Sequence, residues 1–223
     1  MGKYSKFNLS HHRLAACSMG EFVPISAMEV LPGDIFRGGT KALIRVSPLN
    51  APVMHPCHVM LSHWFVPLRL LWTNFESFIT GGSDGNDSTT PPYFDLSGTN
   101  ITAGSLHNHL GVPLGTNAGA DQVSALLVRA MQLIWNTWIR DHDLDTALTI
   151  SLGDGADSTT NQSLQNVRWS KDTFSIARPW TQKGPSVTLP LGTEAPVTGI
   201  GKNNATFGGS SGSARETDRR QGS

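Results

Sequence analysis

The residues best suited to chemistry are grouped in a few short stretches. His55, Cys57, His58 and His63 lie close together, and imidazole and thiolate are the usual ligands of zinc. Their spacing matches no familiar structural zinc site, and along an extended chain His58 and His63 point to opposite faces. Asp141, His142, Asp143 and Asp145 follow a predicted helix end and offer oxygen ligands to a hard cation, but without the loop spacing of an EF-hand. They read as a solvated helix terminus. Gly208-Gly209-Ser210-Ser211-Gly212 has the pattern of a nucleophile elbow, whose serine needs a buried strand before it and a helix after it. Neither is predicted there. The segment from Gly115 to Gly119 precedes a helix and could turn backbone N–H groups toward an anion. It lacks the Lys and hydroxyl residue of a phosphate loop, and Gly199-Ile200-Gly201-Lys202 lacks a following Ser or Thr. No pair of carboxylates sits in an apolar setting that would tune one into a general acid. These residues predict no enzyme, no cofactor and no bound metal.

A binding role has more support. Residues 1–18 are polar and basic with aromatics interleaved, namely Lys3, Tyr4, Lys6, Phe7, His11, His12 and Arg13. Such an arm can meet phosphates and bases through Lys3, Lys6 and Arg13, or it can pack on a neighbouring subunit. The small number of firm cations favours packing.

The whole chain carries 17 Lys plus Arg and 17 Asp plus Glu, so net charge gives no global pull toward nucleic acid or an anionic membrane. Charged residues make up 15% of the 223 residues, against roughly 25% in an ordinary domain. Gly and Pro, at 23 and 13, are frequent. A turn-rich, low-charge chain suits burial against another protein, because unpaired charge is costly to bury. The 2 cysteines, Cys17 and Cys57, are too few for a disulfide framework. No apolar run reaches the ~18 residues of a membrane span, and the polar start lacks a signal-peptide core.

The elements that must position these residues are mostly short. Phe22-Val23-Pro24-Ile25 and Lys41-Ala42-Leu43-Ile44-Arg45-Val46 predict strands, with a Pro32-Gly33 turn between them. His58 to Val66 predicts a buried strand, apolar on both faces. Pro67 then opens a predicted helix carrying Leu68, Leu71, Trp72, Phe75, Phe78 and Ile79 at spacings of three and four, closed by Gly81-Gly82. Residues 81–119 read as a long loop. Asp121 is the predicted cap of a second helix with an apolar face of Val123, Leu126, Leu127, Ala130, Met131, Ile134 and Trp138. Short strands follow at Phe174–Arg178 and Val187–Leu191, and the tail is nearly free of apolar residues. The expected organisation is an arm at 1–18, one β domain at 19–207 with helical insertions near 68–80 and 121–141, and a polar tail at 208–223.

Five stretches resemble one family. They are Phe7-Asn8-Leu9-Ser10-His11, Glu29-Val30-Leu31-Pro32-Gly33-Asp34, Phe65-Val66-Pro67-Leu68-Arg69-Leu70-Leu71-Trp72, Ile134-Trp135-Asn136-Thr137-Trp138-Ile139-Arg140-Asp141, and Ala177-Arg178-Pro179-Trp180-Thr181-Gln182-Lys183-Gly184-Pro185. In order and type they are similar to motifs of microvirus major capsid proteins, especially the gokushovirus-like branch. The resemblance implies a mainly β chain, an antiparallel viral jelly roll with long loops and helical insertions, incomplete in this sequence because the family's chains are longer. It further implies pentamers of the protein with itself, a T=1 icosahedral shell around circular single-stranded DNA, a minor or pilot virion protein and a small DNA-binding or scaffolding protein as partners. Location in the virion after synthesis in the bacterial host cytoplasm, without a membrane, is the matching expectation. Trp72, Phe75, Trp135, Trp138 and Trp180 are the expected packing or subunit-interface residues. A nonviral, lectin-like β-sandwich would explain the turns and tryptophans but not the order of motifs.

Overall fold

The structure is a computed structural model that describes residues 5–52, 54–116, 122–179 and Gly184. The chain divides into two units, Met1–Ile176 and Ala177–Ser223. Only 177–179 and Gly184 of the second are described, so the predicted strand at Val187–Leu191, the polar tail and Trp180 lie outside the described residues.

Among the described residues, three two-stranded antiparallel ladders organise the first unit. Strand β1 (Glu21–Phe22) pairs with β6 (Gln165–Asn166), with Glu21 opposite Asn166. Strand β2 (Tyr93–Asp95) pairs with β5 (Gln122–Ser124), and β3 (Asn100–Ile101) with β4 (Gly115–Thr116). The stretch 81–119, expected as loop, therefore supplies three strands and a short helix, α2 (Leu106–His109), capped by Ser105 through its hydroxyl and the Asn108 N–H. The apolar residues there alternate with polar ones over only two or three positions, too short a run to stand out as strand.

The core forms where these ladders meet helix α3 (Leu126–Ile134). Phe94, Leu96, Ile101, Leu106, Val112, Ala125 and Val128 form one buried cluster, with Leu110, Val123, Met131 and Leu164 packed against it. Area-driven burial of such aliphatic and aromatic groups stabilises by ~1.5–3 kcal/mol each.

Several predicted elements differ. The helix expected near 68–80 is a 3-10 turn at Leu68–Leu70 followed by α1 (Phe75–Thr80). Trp72 between them is turned into the interior, and Gly81 closes α1 with a φ of 80° that a side chain would strain. The helix expected from a cap at Asp121 begins later, because Gln122–Ser124 are held as strand opposite Tyr93–Asp95 and the Ala125 N–H donates to the Pro92 carbonyl. Asp121 itself lies outside the described residues. The strand expected at Phe174–Arg178 is instead helix α4 (Thr173–Ile176), where Asp172 accepts from the Phe174 and Ser175 N–H groups.

The described residues of 23–66 form no ladder. The Pro32-Gly33 turn is present: the Asp34 N–H donates to the Leu31 carbonyl at 3.1 Å, with Gly33 at φ 93°. That geometry is a type II turn, which requires a positive φ at its third residue. The predicted strands Lys41–Val46 and His58–Val66 carry no strand pairing and are exposed apart from the half-buried Val66, and Phe22 is the only residue of Phe22–Ile25 in a ladder. Their apolar side chains lack a second layer to pack against among the described residues.

Candidate assembly and nucleic-acid surfaces

The buried face of helix α3 overlaps the predicted apolar face only in part: Ile134 is buried and Val123 and Met131 pack against the core. Ala125, Val128, Arg129, Gln132 and Trp135 are buried, whereas Leu127 is exposed. The helix turns by about one position because its two long polar side chains find acceptors for their donor nitrogens inside. Arg129, 0% exposed, donates from Nε to Asp157 Oδ2 at 2.8 Å, and from its terminal nitrogens to the Leu71 and Gly153 carbonyls. Asp157 also accepts from the Thr160 hydroxyl at 2.6 Å and from the Thr159 and Thr160 N–H groups. Burial by itself pushes the Asp157 carboxyl up, but the Thr160 hydroxyl and N–H, Arg129 and Thr159 outweigh it and hold the group below its usual range. Gln132 donates to the Asn161 and Ser163 carbonyls, both at 2.9 Å.

The same loop is tied to the segment before α1. Trp72 donates from its indole N–H to Asp154, Asn74 donates to the other Asp154 oxygen at 2.7 Å, and the Thr73 N–H donates to the Leu152 carbonyl.

Past Ile134 the helix widens into one π-type turn, Trp135–Ile139. Trp135, Asn136 and Arg140 of this motif hold the returning chain, while the Thr137 hydroxyl donates to the Leu133 carbonyl within the helix. Trp135 donates to the Asn166 carbonyl at 2.9 Å, and Asn136 exchanges two bonds with the Leu148 backbone. Arg140 donates to the Asp145 carbonyl at 2.9 Å, and Arg168 grips the Asp145 carboxylate with two bonds of 2.6 Å while lying over the Trp135 ring. Arg168 keeps the Asp145 carboxyl below its usual range. Asp141 and Asp143 both face Lys171. Among the described residues no group of three His, Cys, Asp or Glu could hold a metal ion, and His55, Cys57, His58 and His63 are exposed.

The aromatic residues singled out from sequence separate into two kinds. Trp72 and Trp135 are 2% and 3% exposed and belong to the interior of the unit. Phe75 is half-buried, its ring centroid 6.0 Å from that of Trp72. Trp138 is 68% exposed and stacks at 5.6 Å on Trp64. Of the arm cations, Lys3 lies outside the described residues and Lys6 is exposed. Arg13 donates to the His109 carbonyl, which carries the arm back onto the end of α2. Residues that sequence reasoning missed are Arg129, Asp157 and Gln132. Lone polar residues in an amphipathic pattern carry no signal of their future partners.

The family model for the phage capsid protein described as "Capsid protein (F protein)" matches residues 2–223. The chain belongs to this capsid protein family. Among its relatives in the family, the capsid protein VP1 of Bdellovibrio phage phiMH2K is 35% identical over 198 residues, which cover 87% of this chain and 36% of the relative. The capsid protein VP1 of Chlamydia phage 1 is 35% identical over 208 residues, covering 83% of this chain and 35% of the relative. That of Spiroplasma virus 4 is 29% identical over 208 residues, covering 87% and 37%. The chain thus spans little more than a third of the length of the curated relatives it matches. Membership of the microvirus-type capsid family agrees with the resemblance drawn from the motifs, and the β-rich, loop-rich architecture is compatible with it. No helix of the described residues is long and apolar enough to cross a membrane.

Proposed function

We propose that this capsid-family chain is part of a major capsid subunit that self-assembles as pentamers into a T=1 icosahedral shell around circular single-stranded DNA. The match of the capsid family over residues 2–223 carries this reading. The role is structural and not enzymatic, exercised in the virion after synthesis in the host cytoplasm. A minor or pilot virion protein and a small DNA-binding or scaffolding protein are the further partners.

The fold proposed for the whole subunit is an antiparallel jelly roll, with the arm at 1–18 and the helical insertions as departures from it. Two-stranded ladders are marginal by themselves, and Ile35, Leu43, Met60 and Phe65 are each more than three-quarters exposed. Additional strands and neighbouring subunits would cover them, as large assembly interfaces do. Trp138 is the proposed interface aromatic of this part of the chain. Lys3, Lys6 and Arg13 are proposed to touch genomic phosphates from the arm.

Electron microscopy of the purified complete protein tests the reading. Uniform small spherical particles are expected. Monomers alone, with affinity for glycans, would replace it with a lectin-like module.

A further inference from the structure

The balanced net charge conceals a segregation along the chain. Residues 1–70 hold seven Lys or Arg against three Asp or Glu, whereas residues 71–179 hold five against eleven. Between Asp34 and Glu76 there is no carboxylate at all, yet Arg37, Lys41, Arg45 and Arg69 fall in that stretch with His55, His58 and His63.

Cations within 37–45 and within 129–171 are used differently. Arg129 and Arg168 are bound to carboxylates, Lys171 faces two, and Arg140 is held by backbone carbonyls. Arg37, Lys41 and Arg45 are exposed and have no hydrogen-bond or ion-pair partner among the described residues. Their segment contains no helix or turn from Ile35 to Leu49. In an extended chain alternate residues share a face, so positions 37, 41 and 45 line one side while Phe36, Ala42, Ile44 and Val46 line the other. Four residues of strand advance ~13 Å. In that arrangement one side carries the regularly spaced cations with Ile35 and Leu43 among them, and the other is mainly apolar.

We infer that Arg37, Lys41 and Arg45 form a phosphate-binding row for single-stranded nucleic acid. This rests on the proposed enclosure of single-stranded DNA and assigns a contact surface distinct from the arm. A linear polyanion fits the row because successive phosphates can meet successive cations along one direction, in a stretch that carries no carboxylate between Asp34 and Glu76. Arg offers two parallel donors to each phosphate. The apolar face remains free to pack against protein, which would hold the row in place.

Fluorescence anisotropy with single-stranded oligothymidylate, measured over a salt series, tests the inference on the purified protein. Replacing the row by R37Q, K41Q and R45Q together should weaken binding and flatten the slope of log affinity against log salt by about 2, since each phosphate contact on a single strand contributes roughly 0.7. The conservative variant R37K with R45K should keep the slope. Photo-crosslinking of iodouridine-containing oligonucleotide to the unmodified protein should label residues 35–49, a readout that survives if the triple variant does not fold. An unchanged slope, or labelling confined elsewhere, overturns the row. So does a preference for polyglutamate over the oligonucleotide, which would mark an acidic protein as the partner. Particle formation separates the two proposals: shells of normal size from a variant with normal oligonucleotide binding defeat the row alone, whereas absence of shells from the unmodified protein defeats the capsid reading.

Discussion

Arg129 and Asp157 form an ion pair with side chains 1% and 0% exposed, joining helix α3 to the loop that carries Thr159 and Thr160. The pair is enclosed by hydrogen bonds on every side, including the Leu71 and Gly153 carbonyls. Removing one partner strands the other charge in the interior. Arg129→Met should therefore destabilise by ~3–5 kcal/mol, and Asp157→Leu by a similar amount. The double variant should lose less than the sum of the two in chemical denaturation. Additive losses would show that the pair is not coupled.

Asp157 also predicts a pH dependence. Its folded-state pKa lies below that of the unfolded chain, so the stability it contributes is full above the ordinary aspartate range near 4 and is lost as pH falls through the folded value. Denaturation midpoints should decline on acidification, and less steeply in Asp157→Asn. Equal slopes for both proteins would assign the acid sensitivity to other carboxylates.

Trp135 holds the returning chain through one hydrogen bond and a face for Arg168. Trp135→Phe keeps most of the apolar volume but leaves the Asn166 carbonyl without its indole partner. A loss of ~0.5–1.5 kcal/mol is expected from one partly buried hydrogen bond, since Asn166 is exposed. Thermal melting measures it, and an unchanged melting temperature would mean that water takes the place of the indole.

Trp138 should behave in the opposite way. Because it is 68% exposed and touches Trp64, Trp138→Ala should alter subunit stability by no more than ~1 kcal/mol. The number of assembled particles seen by electron microscopy should fall. Normal assembly of the variant would remove Trp138 from the proposed interface.

Gly33 is the required third residue of its turn. Gly33→Ala forces a side chain into φ 93° and should cost ~1 kcal/mol or more, read from the denaturation midpoint. No loss would mean that the turn relaxes to another type.

Local devices and the family were legible in the sequence. Pro32-Gly33 was legible as a turn because so few residue types satisfy its dihedral angles. Helix α3 was legible from its periodic apolar residues, and the order of motifs pointed to the capsid family. Which face of α3 is buried depends on long-range partners: Arg129 and Gln132 enter a core because the loop at 153–163 and the Leu71 carbonyl supply acceptors for their donor nitrogens. The tertiary structure also separated Trp72 and Trp135 from Trp138, aromatic residues that a single sequence presents alike. Burial is a property of what is placed opposite a side chain, and the neighbours opposite Trp135 come from some thirty positions farther along the chain.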